Sequence, residues 1–193
     1  MTLLNKDEIS YCAYLHMRVM QGDFLPMFGK FILRIFYSYI SSSPKEKMFV
    51  KRIDGTITSI CIISFDPNSL MNRIIRQYYF SLTLAIIIHL IIKPSLLLLI
   101  ISIVFHKKKF SSDFPEISYI FTDPKYSNNG FGSSLIKSIS DDLKESKYNE
   151  LYVKTINNDK NKAISFYKKN GFEICRYFCE YNRNYIYMKK ILI

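Results

Sequence analysis

The chain has 193 residues, with 27 Lys and Arg against 16 Asp and Glu, a formal charge of +11. At roughly 150 residues per domain this length predicts a single domain over 1–193, and 49% apolar with 16% aromatic residues excludes wholesale disorder. Four cysteines (Cys12, Cys61, Cys175, Cys179) form no CxxC pair, which argues against a zinc knuckle or a disulfide-stapled fold and for a reducing compartment. The opening residues carry no apolar stretch before their first charges, so no cleaved secretory signal is expected and the expected location is cytoplasmic. The basic excess suits polyanions in general. The lysines are nonetheless scattered, with no basic helix interleaved with aromatics, so no nucleic-acid partner is expected.

In chain order, residues 6–20 place Ile9, Cys12, Ala13, His16 and Met17 at helical spacing, with Asp7 and Glu8 in the first turn and Gly22-Asp23 as the break. Residues 25–41 predict a second helix with Phe28, Phe31, Ile32, Ile35 and Phe36 on one face. Two strands, 47–53 and 57–65, are joined by the hairpin dipeptide Asp54-Gly55. After Ser111-Ser112-Asp113 the pattern becomes strand 116–122, helix 130–146, strand 150–156, helix 160–169 and strands 172–179 and 184–192. Cys175 and Cys179 are expected to be buried thiols on the first of these last two strands.

Between the two halves lies a hydrophobic insert at about 70–110. Residues 70–92 predict one helix, Lys93-Pro94 breaks it, and 95–105 continue apolar up to His106-Lys107-Lys108-Lys109. Pro94 divides the run into apolar pieces of 13 and 11 residues, about 20 Å and 16 Å of helix, short of a bilayer core of roughly 30 Å. Both flanks are basic, so no span orientation is favoured. Three placements remain open: the protein core, the interface of a homodimer, or a peripheral membrane contact through residues 80–109 at the inner face of a membrane.

The chemistry gathers in the second half. Strand 116–122 runs through Asp123-Pro124 into Ser127-Asn128-Asn129-Gly130-Phe131-Gly132 and then directly into a helix. There, glycines at 130 and 132 let successive backbone N–H groups face one anion. The loop lacks the dinucleotide-binding GxGxxG after an early strand and the Gly-Lys-Ser/Thr of a Walker loop. The three histidines (His16, His89, His106) show no metal-ligand spacing, and no metal is expected.

The run Thr122-Asp-Pro-Lys-Tyr-Ser-Asn-Asn-Gly-Phe-Gly-Ser-Ser-Leu-Ile136 resembles the acyl-CoA-binding motif A of the GNAT superfamily of acyl-CoA N-acyltransferases. Ala163-Ile-Ser-Phe-Tyr-Lys-Lys-Asn-Gly-Phe172 resembles its motif B, and Tyr185 to Leu192 its closing strand. The close resemblance covers 116–192, and the helix, helix, strand, strand order of the front half agrees with it.

The resemblance implies an α/β fold (a mixed α+β sheet) with the hydrophobic helical insert between the third and fourth strands. It implies acetyl-CoA as acyl donor and a small-molecule amine as acceptor, attacking directly in a ternary complex. The pyrophosphate would lie against Ser127, Asn128, Asn129, Gly130, Phe131, Gly132 and Ser133. The pantetheine arm would run along Ile120, Phe121 and Thr122, with Asn158 and Asn161 in supporting positions. Tyr167 would protonate the departing thiolate, and Glu116 would deprotonate the amine. Ser127, where the family places Arg or Gln, and Lys160, where it often has Asn, depart from the pattern. A front segment, Gly22 to Tyr37, resembles relatives linked to surface-polysaccharide or lipid-linked sugar pathways, which implies an amino sugar or lipid-linked sugar as acceptor. The alternative kept beside the enzyme is a membrane-associated binding or scaffold protein that retains this fold without catalysis.

Overall fold

A computed structural model describes residues 4–23, 25–92, 114–158, 161–180 and 183–192, apart from the side chains of His89 and Ile92. Helix α1 (Lys6–Val19) starts in a capping box: Asn5 accepts from the amides of Asp7 and Glu8, and Glu8 accepts from Asn5 N–H at 3.1 Å. A 3₁₀ turn (Leu25–Phe28) leads into α2 (Gly29–Ser42). Strands β1 (Glu46–Ile53) and β2 (Thr56–Ser64) follow, then α3 (Leu70–Gln77) and α4 (Tyr79–Ile92). The second half is β3 (Glu116–Thr122), α5 (Phe131–Glu145), β4 (Glu150–Ile156), α6 (Lys162–Lys169), β5 (Glu173–Glu180) and β6 (Arg183–Ile191).

Together these form a mixed α/β fold with one six-stranded sheet, order β1-β2-β3-β4-β6-β5, in which only the β3–β4 pair is parallel. The Asp54-Gly55 turn takes the left-handed conformation at both residues (φ 48° and 75°), as a two-residue hairpin requires. One face of the sheet is covered by a core that includes Cys12, Leu15, Phe36, Ile60 and Phe121, with α1 to α4 packed over it. The other face holds a second core with Ile117, Leu135, Ile139, Leu143, Val153, Tyr167 and Met188, covered by α5 and α6.

Several sequence expectations need correction. The expected helix over 25–41 begins as a 3₁₀ turn because Gly29 sits at φ 80°, and this rotates Phe31 out of the core to 52% exposure. The expected helix over 70–92 is two helices, interrupted at Tyr78. These helices stand between the second and third strands of the sheet, one position earlier than expected, because among the described residues no strand precedes α1. Cys175 and Cys179 are exposed rather than buried, since β5 is the edge strand. The apolar run 95–105 and the basic cluster 106–109 lie outside the described residues. Among the described residues, no helix is long and apolar enough to cross a membrane.

The helices of the insert divide their apolar surface. Leu82 and Ala85 are buried in the first core, with Ile86 and Leu90 packed against it. On the other side of α4, Phe80, Leu84, Ile87, Ile88 and Ile91 are exposed, Phe80 at 86%.

Candidate functional site

The strands β3 and β4 part almost as soon as they meet. Their ladder contains two pairs, Glu116↔Tyr152 and Ile117↔Val153. The next residue, Ser118, is the extra one in a bulge: β2 pairs Ile63 with Ile117 and Ile62 with Tyr119, which leaves Ser118 opposite nothing. A bulge adds local twist to its strand, and here it coincides with the loss of pairing. Beyond it, Ile120, Phe121 and Thr122 remain held on their other side by Cys61, Ile60 and Ser59 of β2, and Thr122 Oγ1 accepts from Ser59 Oγ at 2.9 Å. Their backbone groups that face β4 therefore line a gap.

At the far end of β3 the chain turns into α5. Asp123 accepts from Lys125 N–H at 2.9 Å and holds Arg18 of α1 at 2.6 Å, tying the turn to the first helix. Ser127 Oγ donates to the Pro124 carbonyl and Asn129 Nδ2 to that of Tyr126, so both side chains shape the loop from within. Asn128 and Gly130 adopt left-handed φ of 65° and 73°. Gly130 caps α5 without any side-chain hydrogen bond, and the first helical bond runs from Ser134 N–H to Gly130 C=O. The amides of Phe131, Gly132 and Ser133 precede that bond. They carry the positive end of the helix and have no intrahelical acceptor.

The two glycines serve different ends. A Cβ on Gly130 would meet nothing within 4 Å, so the requirement there is conformational. A Cβ on Gly132 would lie 3.1 Å from the ring of Phe166, so this glycine lets α6 close onto the first turn of α5. Next to Phe166, Tyr167 is 5% exposed, with its ring edge-on to Phe166 and Phe172. Among the described residues nothing hydrogen-bonds its hydroxyl. Burial raises its pKa, with smaller contributions from Cys61 and Asp23, so the phenol stays protonated at neutral pH.

The Asn161 side chain, expected beside the cofactor, is hydrogen-bonded within the chain. It caps α6 by accepting from Ala163 N–H at 3.0 Å, while its Nδ2 donates to Thr155 Oγ1 and the Ile156 carbonyl, which consumes both hydrogens. Asn158 is exposed on the loop before it.

Glu116 lies on the opposite face of the sheet from Tyr167. Its neighbour Ile117 belongs to the second core, so the Glu116 side chain points the other way and accepts a hydrogen bond from Tyr187 Oη. Burial raises the Glu116 pKa, against the opposing pull of the Tyr187 hydrogen bond and the Lys154 charge. Lys154, the residue after the last paired position of β4, bridges to Glu180 at 2.9 Å. The Lys154 ammonium thus pairs with Glu180 while its charge also acts on Glu116, where the strands begin to part. The gap separates Glu116 on one face from Tyr167 on the other.

Sequence reasoning missed three participants. Asp23 enters it only as a helix breaker. It is half-buried, its carboxyl is held above the ordinary value by burial, and its charge raises the pKa of both Tyr119 and Tyr167. Tyr187, the hydrogen-bond partner of Glu116, is 71 positions away in sequence and carries no local signal. Lys154 reads as the exposed member of an alternating strand. Among the described residues, no cluster of three or more His, Cys, Asp or Glu could hold a metal.

Comparison with known proteins bears directly on this arrangement. Residues 100–174 match a family model described as an acetyltransferase (GNAT) domain, the stretch that holds the bulge, the glycine turn and Tyr167. Over that stretch this chain is similar to a GNAT acetyltransferase domain. Solved structures share its fold. The ribosomal-protein-S18-alanine N-acetyltransferase from Escherichia coli superposes with a TM-score of 0.61 at 13% identity, covering 99% of this chain and 92% of that one. The PaiA N-acetyltransferase from Thermoplasma acidophilum, solved with coenzyme A, gives 0.59 at 11% identity over 98% and 96%. An aminoglycoside 6'-N-acetyltransferase, also complexed with coenzyme A, gives 0.61 at 10% over 97% and 91%. No curated protein matches the chain by sequence. Within the matched stretch the strand that parts from its neighbour is β3, and the helix that follows the glycine turn is α5.

Proposed function

We propose that this protein is an N-acetyltransferase that moves the acetyl group of acetyl-CoA to an amine in a ternary complex. The observation that carries the reading is the parting of β3 from β4 at the Ser118 bulge, with the uncapped N-terminus of α5 following the far end of the same strand. An extended, amide-bearing arm ending in a pyrophosphate fits both features. The backbone edge of Ile120 to Thr122 offers hydrogen bonds to amides, and the N–H groups from Asn128 to Ser133 offer them to phosphate oxygens, whereas the Ser127 N–H is donated to the Pro124 carbonyl.

When bound, acetyl-CoA supplies the activated acyl group. The chain's own residues do the rest. A β3 N–H facing the gap stabilises negative charge developing on the thioester oxygen, which such a prearranged donor does without reorganisation. Glu116 takes the proton of the amine, and its raised pKa suits it to that task better than an ordinary carboxylate. Tyr167, protonated and without a competing hydrogen bond among the described residues, gives its proton to the leaving sulfur. Base and acid flank the gap from opposite faces, which allows the amine to arrive on one side and the thiol to leave on the other. The carboxylate of Asp23 adds negative charge near Tyr119, on the face of β3 that Glu116 also occupies, which favours a cationic acceptor on that side. An amino sugar, free or lipid-linked, is the acceptor class this reading carries forward from the sequence.

The test is calorimetric titration of the purified chain with acetyl-CoA. The control is Gly130→Asp, which puts a side chain at φ 73° and a carboxylate at the anion cradle. Saturable binding that the variant loses, with its circular dichroism unchanged, is expected. No binding by a folded wild-type sample would overturn the reading and leave the scaffold alternative.

A further inference from the structure

The outer face of α4 is the largest feature that the proposed chemistry does not use. Phe80, Leu84, Ile87, Ile88 and Ile91 recur at the spacing of one helical face, and all are 47% exposed or more. Tyr79 at 57% and Ile75 at 44% extend the strip toward α3. Scattered exposed apolar residues need no explanation, but a contiguous strip of several hundred Å² marks an interaction site. The opposite side of α4 is committed to the first core, so apart from Ser81, Thr83 and His89 this helix carries apolar side chains on both its buried and its exposed sides.

The surrounding charge indicates what covers it. From residue 67 to 112 the sequence contains no Asp or Glu, while Arg73, Arg76, Lys93 and Lys107 to Lys109 fall within that stretch. Residues 24–45, which include the adjacent α2, are likewise free of acid and carry Lys30, Arg34 and Lys45. Lys30, Arg34 and Arg76 are exposed, and among the described residues no carboxylate pairs with them. Arg73 is committed elsewhere, to Glu46 and Asp66. An apolar helix face whose neighbouring described segments, 25–45 and 67–92, carry cations and no acid suits a negatively charged surface with an apolar interior. Two copies of this face brought together would oppose like charges, so a homodimer through it is disfavoured. At 14 residues, α4 is about 21 Å long, too short to span a bilayer yet long enough to lie along one.

We infer that α4 docks this protein, outer face down, on an anionic lipid surface. Burial of the apolar strip among the acyl chains drives the contact, and Lys30, Arg34 and Arg76 strengthen it through the headgroup charge, by roughly fivefold in affinity per cation near the surface. The inference stands apart from the acetyl-CoA reading, because neither the strip nor these cations touch the gap between β3 and β4.

The experiment is flotation of the full chain with vesicles of phosphatidylcholine alone or with roughly 30 mol% phosphatidylglycerol, at low and high salt. Wild type should float with the anionic vesicles, more weakly at high salt and weakly with phosphatidylcholine alone. The triple variant Phe80→Ser, Leu84→Ser, Ile91→Ser alters only exposed side chains, so its fold and acetyl-CoA titration should match wild type. Its vesicle binding should fall at least about tenfold. Arg34→Glu with Arg76→Glu should weaken binding to anionic vesicles and leave the residual binding to neutral ones unchanged. Absence of flotation by folded wild type would overturn the inference, as would flotation unchanged by the triple variant. A dimer in sedimentation that the triple variant dissolves would also overturn it, by assigning the face to a second copy.

Discussion

His16 offers a quantitative test of how the first core supports the strand that bears the site. Its ring is fully buried, with Nδ1 3.0 Å from Tyr37 Oη, and its centroid lies 4.5 Å from that of Tyr119 and 5.1 Å from that of Phe121 on β3. Its Nε2 is buried without a partner. Protonation requires both ring nitrogens to donate, and Nε2–H would find no acceptor. Burial accordingly lowers the His16 pKa to about 4. The sign follows from linkage: between about pH 6.5 and 4 the unfolded chain binds a proton that the folded chain refuses, so stability contributed by this site falls as pH falls. Integrating from 6.5 unfolded to about 4 folded gives a loss of about 2 kcal/mol at pH 5 and about 3 kcal/mol at pH 4, relative to pH 8. Urea unfolding of wild type and His16→Phe across this range isolates the term. The variant carries a constant cost for the deserted Tyr37 hydroxyl but none of the His16 slope, so the two stability curves should converge on acidification. Curves that fall in parallel would refute the argument that an uncharged His16 supports β3.

Other predictions concern the proposed chemistry and one buried charge. Tyr167→Phe should leave acetyl-CoA affinity unchanged and lower kcat about 100-fold, as loss of a general acid does; steady-state kinetics beside calorimetry checks it, and an unaltered kcat removes Tyr167 from the mechanism. In wild type, kcat/KM should rise with pH through a group titrating above the ordinary carboxylate range, because burial raises the Glu116 pKa; Glu116→Gln should abolish that acid limb in a pH–rate profile. Arg73→Met should destabilise the fold by about 2–3 kcal/mol in urea unfolding, because it strips from Glu46, whose side chain is fully buried, the cation that pairs with it among the described residues. A change below about 0.5 kcal/mol would mean that the bonds from Ser43 and Ser64 suffice for Glu46.

The parts of the site legible in the sequence are those whose geometry is local. The turn from Asp123 to Gly132 announces itself because left-handed positions attract Gly and Asn, and because a glycine pair before an amphipathic helix has few other uses. Tyr167 is legible through its spacing to Gly171 and Phe172. Asn161 shows the limit of that logic: a residue type suited to a ligand is equally suited to a helix cap, and the cap claims it. Glu116 is legible as a position but not as an environment, since Tyr187, Lys154 and Glu180 reach it only through strand pairing far along the chain. Asp23 has no motif at all. The break at Tyr78 and the exposure of Cys175 and Cys179 follow from tertiary placement, which periodicity cannot see.

The bulge at Ser118 joins these threads, because it is enforced by packing on both sides of the sheet. In a regular strand residues 117, 119 and 121 would share one face. Here Ile117 is buried in the second core, Phe121 is buried in the first and Tyr119 packs against it. One inserted residue is what lets β3 change faces midway. The sequence hints at it, since Tyr119-Ile120-Phe121 is continuously apolar where a half-covered strand would alternate. Removing the bulge would rotate Tyr119 and Phe121 away from His16 and Phe36, at about 1.5–3 kcal/mol for each aromatic side chain re-exposed. The parting of β3 from β4 is therefore a consequence of how two hydrophobic cores divide one strand.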